Sequence, residues 1–445
     1  MTDAELLKRI YNAFDPTRPL AAGDDTYVDY QDVRGDRDIL AEVGRDIELS
    51  DSPTCRLYAG HRGAGKSTEL LRLIPHLEGQ GFQVVYFPAD AEDIDPEDAR
   101  YTDILLACTR ALLQELNPSN DNPVMRWLKD RWQSLKDLAT TEVTLDDLSI
   151  EIFSTITANL RAVPAIRAQV RRLVDPHTVT LLQALNELID EAKAKRVASS
   201  QAGIVLIADN LDRIVPVTDP ETHRTNHDEI FLDRGEQLKA LHCDVVYTVP
   251  ISMVYSSSGT HLVDGYGPVR VLPMVVVSRR AQGPRVPGER EPYPPGIARL
   301  RELIERRLRH IRPGIELSEV FEDLDTLDHL CLMSGGHLRN LILLLRTSVE
   351  RTPNLPIPRR AMLRAISELR ETYNRTIADD EWAKLAEVYR SQLIANTDAY
   401  RKLLFNRCIL EYREVGEDQN VLTWYDIHPV IETIPQFRQA IEATT

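Results

Sequence analysis

The stretch LYAGHRGAGKSTELLRLI, residues 57–74, carries the residues best suited to chemistry. Gly60, His61, Arg62, Gly63, Ala64, Gly65, Lys66 and Ser67 satisfy the spacing G-x-x-x-x-G-K-[ST] at every position. Glycines at these points let backbone N–H groups turn inward around phosphate oxygens, and a helix beginning near Lys66 adds the positive end of its dipole. The Lys66 ammonium is expected to reach the β- and γ-phosphates of a nucleoside triphosphate, and the Ser67 hydroxyl to join the shell of a Mg²⁺ ion. Thr68 follows directly and closes the candidate nucleotide-binding set, Gly60 to Thr68. The same loop serves kinases, GTPases and ATPases, so it does not by itself name the reaction.

A second chemical segment is GIVLIADNLDR, residues 203–213. Its apolar run ends in Asp209, a suitable carboxylate for the same Mg²⁺; the plainer alternative is a buried parallel strand that happens to end in an acid. Asn210 comes next. It can orient a water molecule but cannot take its proton, as a general base would. Asp212 is the nearest spare carboxylate. His223 and His227, four apart beside Asp228 and Glu229, have a spacing that suits a helical metal site, although a polar connecting loop is the preferred reading. The five cysteines are scattered without a CxxC pair. Zinc and disulfide roles are disfavoured, and a reducing cytoplasm fits.

These groups need elements to hold them. An amphipathic helix is expected over DVRGDRDILAEVGRDIELS, then a strand, CRLYAG, ending in the glycine loop. Ser67 to about His76 reads as a helix with Leu70, Leu71, Leu73, Ile74 and Leu77 inward, kinked or ended by Pro75. GFQVVYFPAD (81–90) is a second strand, and its continuous apolar centre suits a parallel sheet covered on both faces. Residues 101–196 are helical in pattern, with Asn122 capping Pro123 and with Val124, Leu128, Trp132, Leu135 and Leu138 on one face. Further strands are expected at 203–212, 244–252 and 269–277. The stretch 279–296, rich in proline, glycine and arginine, reads as a mobile loop or linker. Helices fill 297 to about 370, including a Gly-Gly turn at 335–336. The last residues hold two more helices and two β-patterned runs around a polar Gly-Glu-Asp-Gln turn, a pattern that suggests a winged-helix module.

In order, GHRGAGKS, IVLIADNLDR, VVYTVP and SGGHLRN resemble the AAA+/STAND class of P-loop ATPases, and the DNLDR segment is similar to the DDLDR of STAND and KAP-type NTPases. Roughly residues 30–350 share the resemblance. It implies an α/β fold with a five-stranded parallel core, a helical lid and a C-terminal winged helix. The implied domains are 1–50, an N-terminal helical segment with an adenine-side box; 51–278, the ATPase core with a helical insertion at about 101–196; 279–296, a linker; 297–375, the lid; and 376–445, the winged-helix-like part. The resemblance also makes Thr248 a sensor 1 hydroxyl and Arg339 a sensor 2 arginine reaching the γ-phosphate. It makes Arg34 and Arg37 members of the adenine-side box, with plain helix-surface charges as the alternative. Asn210 departs from the class, which often has a second acid there; slow turnover is one implied consequence, and catalysis completed by another subunit is the other. A trans arginine finger would come from Arg213, Arg234, Arg279 or Arg280.

The implied activity is hydrolysis of ATP with Mg²⁺ by a molecular switch. Such a switch would form homo-oligomers and control a separate effector or sensor protein, as in prokaryotic antiphage defence. A DNA-handling ATPase of the origin-recognition or transposition-regulator kind is the alternative, and a small-molecule kinase is a third, less favoured class. The net charge of −16 opposes broad nucleic-acid affinity, although arginines are dense at 299–312 and 339–370. No apolar run is long enough to span a membrane, and the first residues lack a secretory pattern, so a cytoplasmic protein is expected.

Overall fold

Strands β1 (Cys55–Gly60), β2 (Gln83–Pro88), β3 (Ile204–Asp209), β4 (Asp244–Pro250) and β5 (Arg270–Leu272) form one sheet in the order β2-β3-β4-β1-β5. The structure is a computed structural model that describes residues 2–135, 153, 161–197, 203–221, 224–256, 259–283 and 285–443. Every residue of β3 and β4 is buried. That is the condition under which an uninterrupted apolar run, rather than an alternating one, becomes a strand. β2 runs parallel to β3 with Pro88 opposite Asp209, and β3 runs parallel to β4 with Ala208 opposite Tyr247. A five-stranded parallel sheet with the glycine loop following β1 is the P-loop NTPase fold.

The chain divides into two units. One comprises Met1–Asp38, Gly60–Arg72 and Val271–Thr445; the other comprises Ile39–Ala59 and Leu73–Arg270. In the second unit, the helices Tyr101–Leu116, Pro123–Leu135, Pro164–Val174 and Thr178–Val197 lie in the expected helical region, of which 136–152 and 154–160 fall outside the described residues. Asn122 caps the second of them by accepting the Met125 N–H at 3.0 Å, and Val124 and Leu128 are buried beneath it. Nothing is described of the Trp132 and Leu135 side chains, and Leu138 lies outside the described residues. Arg171 bonds Asp98 at 2.8 Å and Asp103 at 2.5 Å, and Arg167 bonds Asp98 at 2.9 Å, which ties the third helix to the start of the first.

In the first unit, helices Pro294–Ile311, Leu324–Met333, Leu338–Glu350, Arg359–Thr376, Trp382–Ser391 and Asp398–Phe405 precede an antiparallel hairpin of β6 (Ile409–Val415) and β7 (Val421–Ile427). Tyr412 lies opposite Trp424, with their rings stacked at 5.6 Å, and the Gly416 N–H closes the turn on the Asn420 carbonyl at 2.9 Å.

Several expectations change. The helix with Pro75 runs from Lys66 to Gly79 without stopping. One missing N–H near its C-terminal end does not outweigh the burial of Leu70, Leu73 and Leu77. The amphipathic helix expected from residue 32 does not start there. A single 3₁₀ turn, Gln31–Val33, is followed by Gly35 (φ 63°) and Asp36 (φ 57°), both left-handed, and the continuous helical run begins only after Asp38. The fifth strand spans three residues rather than nine. Pro273 has no N–H to offer a ladder. Beyond it the backbone turns to other partners: the Met274 N–H donates to Glu411 O and the Val276 N–H to Val33 O, each at 2.9 Å.

The 279–296 stretch is anchored in its unit rather than loose. Arg285 makes two bonds of 2.9 Å to the Asp426 carboxylate, and its guanidinium lies 4.0 Å from the Tyr389 ring centroid. Arg290, almost wholly buried, bonds Asp426 at 2.8 Å and Glu432 at 2.5 Å. Two cations thus face two carboxylates away from water. Such a group contributes little net stability while whole, and removing one member leaves a desolvated charge. Arg290→Met is therefore expected to cost about 3 kcal/mol, seen as a lower urea midpoint. An unchanged midpoint would mean that Arg285 alone satisfies both acids.

Candidate phosphate-loop site

The glycines of the loop are required by both angle and space. Gly60, Gly63 and Gly65 have φ of 150°, 93° and 111°. A Cβ on Gly63 would lie 2.8 Å from His337 Cε1 and 2.9 Å from Arg339 Cβ; one on Gly60 would lie 2.8 Å from the Leu272 carbonyl oxygen. Any side chain here would push the loop off its neighbours.

Lys66 is buried at the start of the helix, and its Nζ donates to the carbonyls of Gly60 at 2.8 Å and His61 at 3.0 Å. The ammonium is folded over the loop's own oxygens. Ser67 is half-buried beside it. The Thr68 hydroxyl accepts the Leu20 N–H at 3.2 Å, so it serves to tether the N-terminal segment.

The remaining loop carbonyls are also taken. His337 Nε2 donates to Arg62 O at 2.8 Å, the Arg339 N–H to Gly63 O at 3.3 Å, and Arg34 Nη2 to Ala64 O at 2.7 Å. His337 is also the cap of the Leu338–Glu350 helix, because its Nδ1 accepts the Asn340 N–H at 3.0 Å. This pair of bonds fixes a neutral tautomer with the proton on Nε2. His61 Nε2 accepts the Glu411 N–H of β6 at 3.1 Å. Burial holds the His61 imidazole down at about 3, assisted by the Lys66 charge, and burial pushes His337 and His428 well below the ordinary histidine range. His428 Nε2 accepts from Asn340 Nδ2 at 2.9 Å and stacks on Tyr373 at 4.6 Å.

The Arg339 Nε donates to the Pro16 carbonyl at 3.1 Å, so part of the expected sensor guanidinium is directed at the N-terminal segment. Arg34 is not a helix-surface charge. It is 2% exposed, and its guanidinium lies 4.9 Å from the Tyr30 ring centroid.

The acid segment belongs to the other unit. Asp209 ends β3 with no exposed surface; its Oδ2 accepts the Tyr86 hydroxyl at 2.8 Å, and its Oδ1 accepts the Asn210 N–H at 2.6 Å. Burial, then the Asp209 charge, pushes the Tyr86 phenol upward, so it stays a donor. Asn210 adopts φ 65°, a left-handed conformation that asparagine and aspartate tolerate better than most residues. The Thr248 hydroxyl accepts the Leu211 N–H at 2.9 Å and donates to Ala208 O at 3.4 Å. It is fully buried and braces the turn after Asp209. Asp212 is buried in that turn. Arg213 is paired with Asp90, and Arg234 lies over Tyr101 with a centroid distance of 5.7 Å. Arg279 pairs with Glu291 at 2.9 Å, while Arg280 is half-buried.

His223 lies outside the described residues. His227 is buried with its Nε2 3.0 Å from the Ile214 carbonyl, and among the described residues no group of three or more histidines, cysteines or acids could hold a metal. All five cysteines are buried free thiols. No helix among the described residues is long and apolar enough to cross a membrane.

Sequence reasoning missed His337 and Glu411 as partners of the loop and Tyr86 as the partner of Asp209. Tyr86 carried no signal, because its pairing with Asp209 depends on the β2–β3 register. His337 did carry one, standing directly before the first residue of a helix.

The chain matches no protein-family model and no curated protein. Among solved structures it is similar to a Walker-type ATPase of Pyrococcus abyssi, with 15% identity over 96% of this chain and 99% of that one, at a TM-score of 0.42. It is also similar to the ORC2 protein of Aeropyrum pernix, solved as ADPNP–ADP complexes, with 11% identity over 98% of both chains and a TM-score of 0.38. Cdc6p of Pyrobaculum aerophilum is 12% identical over 97% of this chain and 98% of that one, at a TM-score of 0.39. With scores this low, the P-loop NTPase fold of this chain stands on its own sheet order and on the glycine loop after β1.

The unfolded chain protonates the imidazoles of His61, His337 and His428 near pH 6.5, whereas the folded chain keeps them neutral. Their stabilising contribution is complete above that pH and is lost as pH falls towards the folded values. The unfolding free energy from urea titrations is expected to drop between pH 7.5 and pH 5, by up to about 1.4 kcal/mol per pH unit for each histidine. A separate change, Tyr86→Phe, removes one donor from a fully buried carboxylate and should cost about 1–3 kcal/mol in the same assay.

Proposed function

We propose that the chain binds ATP with Mg²⁺ at Gly60 to Thr68 and hydrolyses it slowly as a molecular switch. The observation that supports this reading is the wiring of the loop. The first residues of the Leu338–Glu350 helix bond Gly63 and Arg62, and β6 bonds the ring of His61. Any shift of the loop on loading with nucleotide is therefore felt in a helical segment and a hairpin more than 250 residues away in sequence.

Lys66 would exchange the Gly60 and His61 carbonyls for phosphate oxygens, a favourable trade for an ammonium because the new acceptors are anionic. Ser67 on the loop supplies a hydroxyl, and Asp209 at the end of β3 a carboxylate, of the kinds that hold Mg²⁺, which supplies charge neutralisation on the phosphates when bound. Asn210 would orient water without accepting its proton, Asp212 is the spare carboxylate, and Thr248 steadies the turn that carries them. Arg339 would report occupancy from the helix start. This wiring suits a switch that acts on a separate effector, with copies of the chain assembling to complete catalysis through an arginine in trans. A duplex-binding role is disfavoured by Glu414, Glu417 and Asp418 at the hairpin tip, where phosphates would meet like charge.

Lys66→Ala is expected to weaken ATP binding at least 100-fold in a fluorescent-nucleotide titration, with the circular dichroism unchanged. Retained tight binding would overturn the assignment. Sizing the wild-type protein with ATP, with ADP and without nucleotide tests the assembly directly; a monomer in all three states removes the trans arginine.

A further inference from the structure

The peptide planes of the loop carry a consequence for how the anion site is made. In a trans peptide the carbonyl and the following N–H point in opposite directions. His337 holds the Arg62 carbonyl, which turns the Gly63 N–H the other way; Arg34 holds the Ala64 carbonyl, which does the same for the Gly65 N–H. Among the described residues neither of these two N–H groups has a partner, whereas the intervening Ala64 N–H is spent on the His61 carbonyl at 3.1 Å. The loop therefore presents two unused amide donors on one side because two side chains hold their carbonyls on the other.

We infer that Arg34 and His337 are positioning residues that pre-orient the Gly63 and Gly65 amides to receive the phosphates of a nucleotide. This rests on the nucleotide reading given above and deepens it by naming what prepares the site.

The cost of the arrangement points the same way. Arg34 is 2% exposed, forms no ion pair among the described residues, and has an Nε without a hydrogen-bond partner. Its support is the Ala64 carbonyl and the face of Tyr30. Burying a guanidinium on these terms is unfavourable in the empty protein. The cost is offset when an anion enters nearby: Arg34 Nη1 stands 4.0 Å from where a Cβ of Gly65 would be. His337 is constrained from both sides. Its Nδ1 caps a helix, its Nε2 is left to the loop, and burial keeps it neutral so that both roles persist at physiological pH. Gly63 must be glycine because His337 comes so close. Pre-oriented donors do not spend binding energy on ordering the loop, so they raise affinity for the anion itself.

The test separates the phosphates from the rest of the nucleotide. Displacement of a fluorescent nucleotide is measured with ATP and with inorganic tripolyphosphate for wild type, Arg34→Met, Arg34→Lys and His337→Asn. Asparagine keeps a helix cap but is too short to hold the Arg62 carbonyl. Arg34→Met and His337→Asn should each weaken tripolyphosphate and ATP in the same proportion, by about tenfold, while Arg34→Lys recovers most of the loss. Weakened ATP with unchanged tripolyphosphate would place Arg34 on the base or sugar and overturn the inference, as would unchanged affinity for both. If Arg34→Met does not fold, His337→Asn alone decides. Failure of the nucleotide reading looks different: wild type would then bind neither ligand, and Lys66→Ala would change nothing.

Discussion

All five carbonyl oxygens from Gly60 to Ala64 are occupied, and the loop's shape follows from that. Lys66 covers the first two, His337 the third, the Arg339 amide the fourth and Arg34 the fifth. A glycine-rich turn has no side chains to define it and is entropically costly to order. Here its order comes from two distant stretches, the segment after Tyr30 and the start of the Leu338–Glu350 helix, together with Lys66 of its own following helix. The glycines and the clamps are two sides of one constraint, since the clamps come close enough that a Cβ at Gly63 could not be accommodated.

The same unit buries an unusual amount of polar chemistry. Three neutral histidines, an unpaired guanidinium and the Arg285–Arg290–Asp426–Glu432 group all sit away from water. Each is held by specific hydrogen bonds, even though Arg34 Nε and the Nδ1 atoms of His61 and His428 have no partner among the described residues, so each specifies one arrangement more strongly than apolar packing would, at a cost in net stability. The acid segment is simpler. Tyr86 and the backbone of Asn210 orient Asp209, and Thr248 fixes the turn behind it.

Much of this was legible in the residues. The loop from Gly60 to Ser67 announces itself by spacing, and the buried runs of β3 and β4 announce a parallel sheet because their apolar stretch has no alternation. Where local rules met competing partners they failed. Pro75 did not end its helix, because burial of the leucines around it outweighs one lost hydrogen bond. Residues 274–277 look like strand, but Met274 and Val276 give their N–H groups to Glu411 and Val33 after Pro273 has broken the ladder. The composition of 279–296 signals a linker, yet Arg285 and Arg290 find buried acids more than 130 residues later in the chain.

By itself the sequence determined the chemistry on offer: a lysine and a serine after a triple-glycine turn, an acid at the end of a buried strand, and an asparagine where a second acid would serve a base. Those are matters of residue type and short spacing, which survive without a fold. Only the tertiary structure decided which side chains hold the loop open, that Tyr86 orders Asp209, and that Thr248 faces a backbone turn. Hydrogen bonds between residues hundreds of positions apart depend on register and packing, and no local pattern encodes their direction.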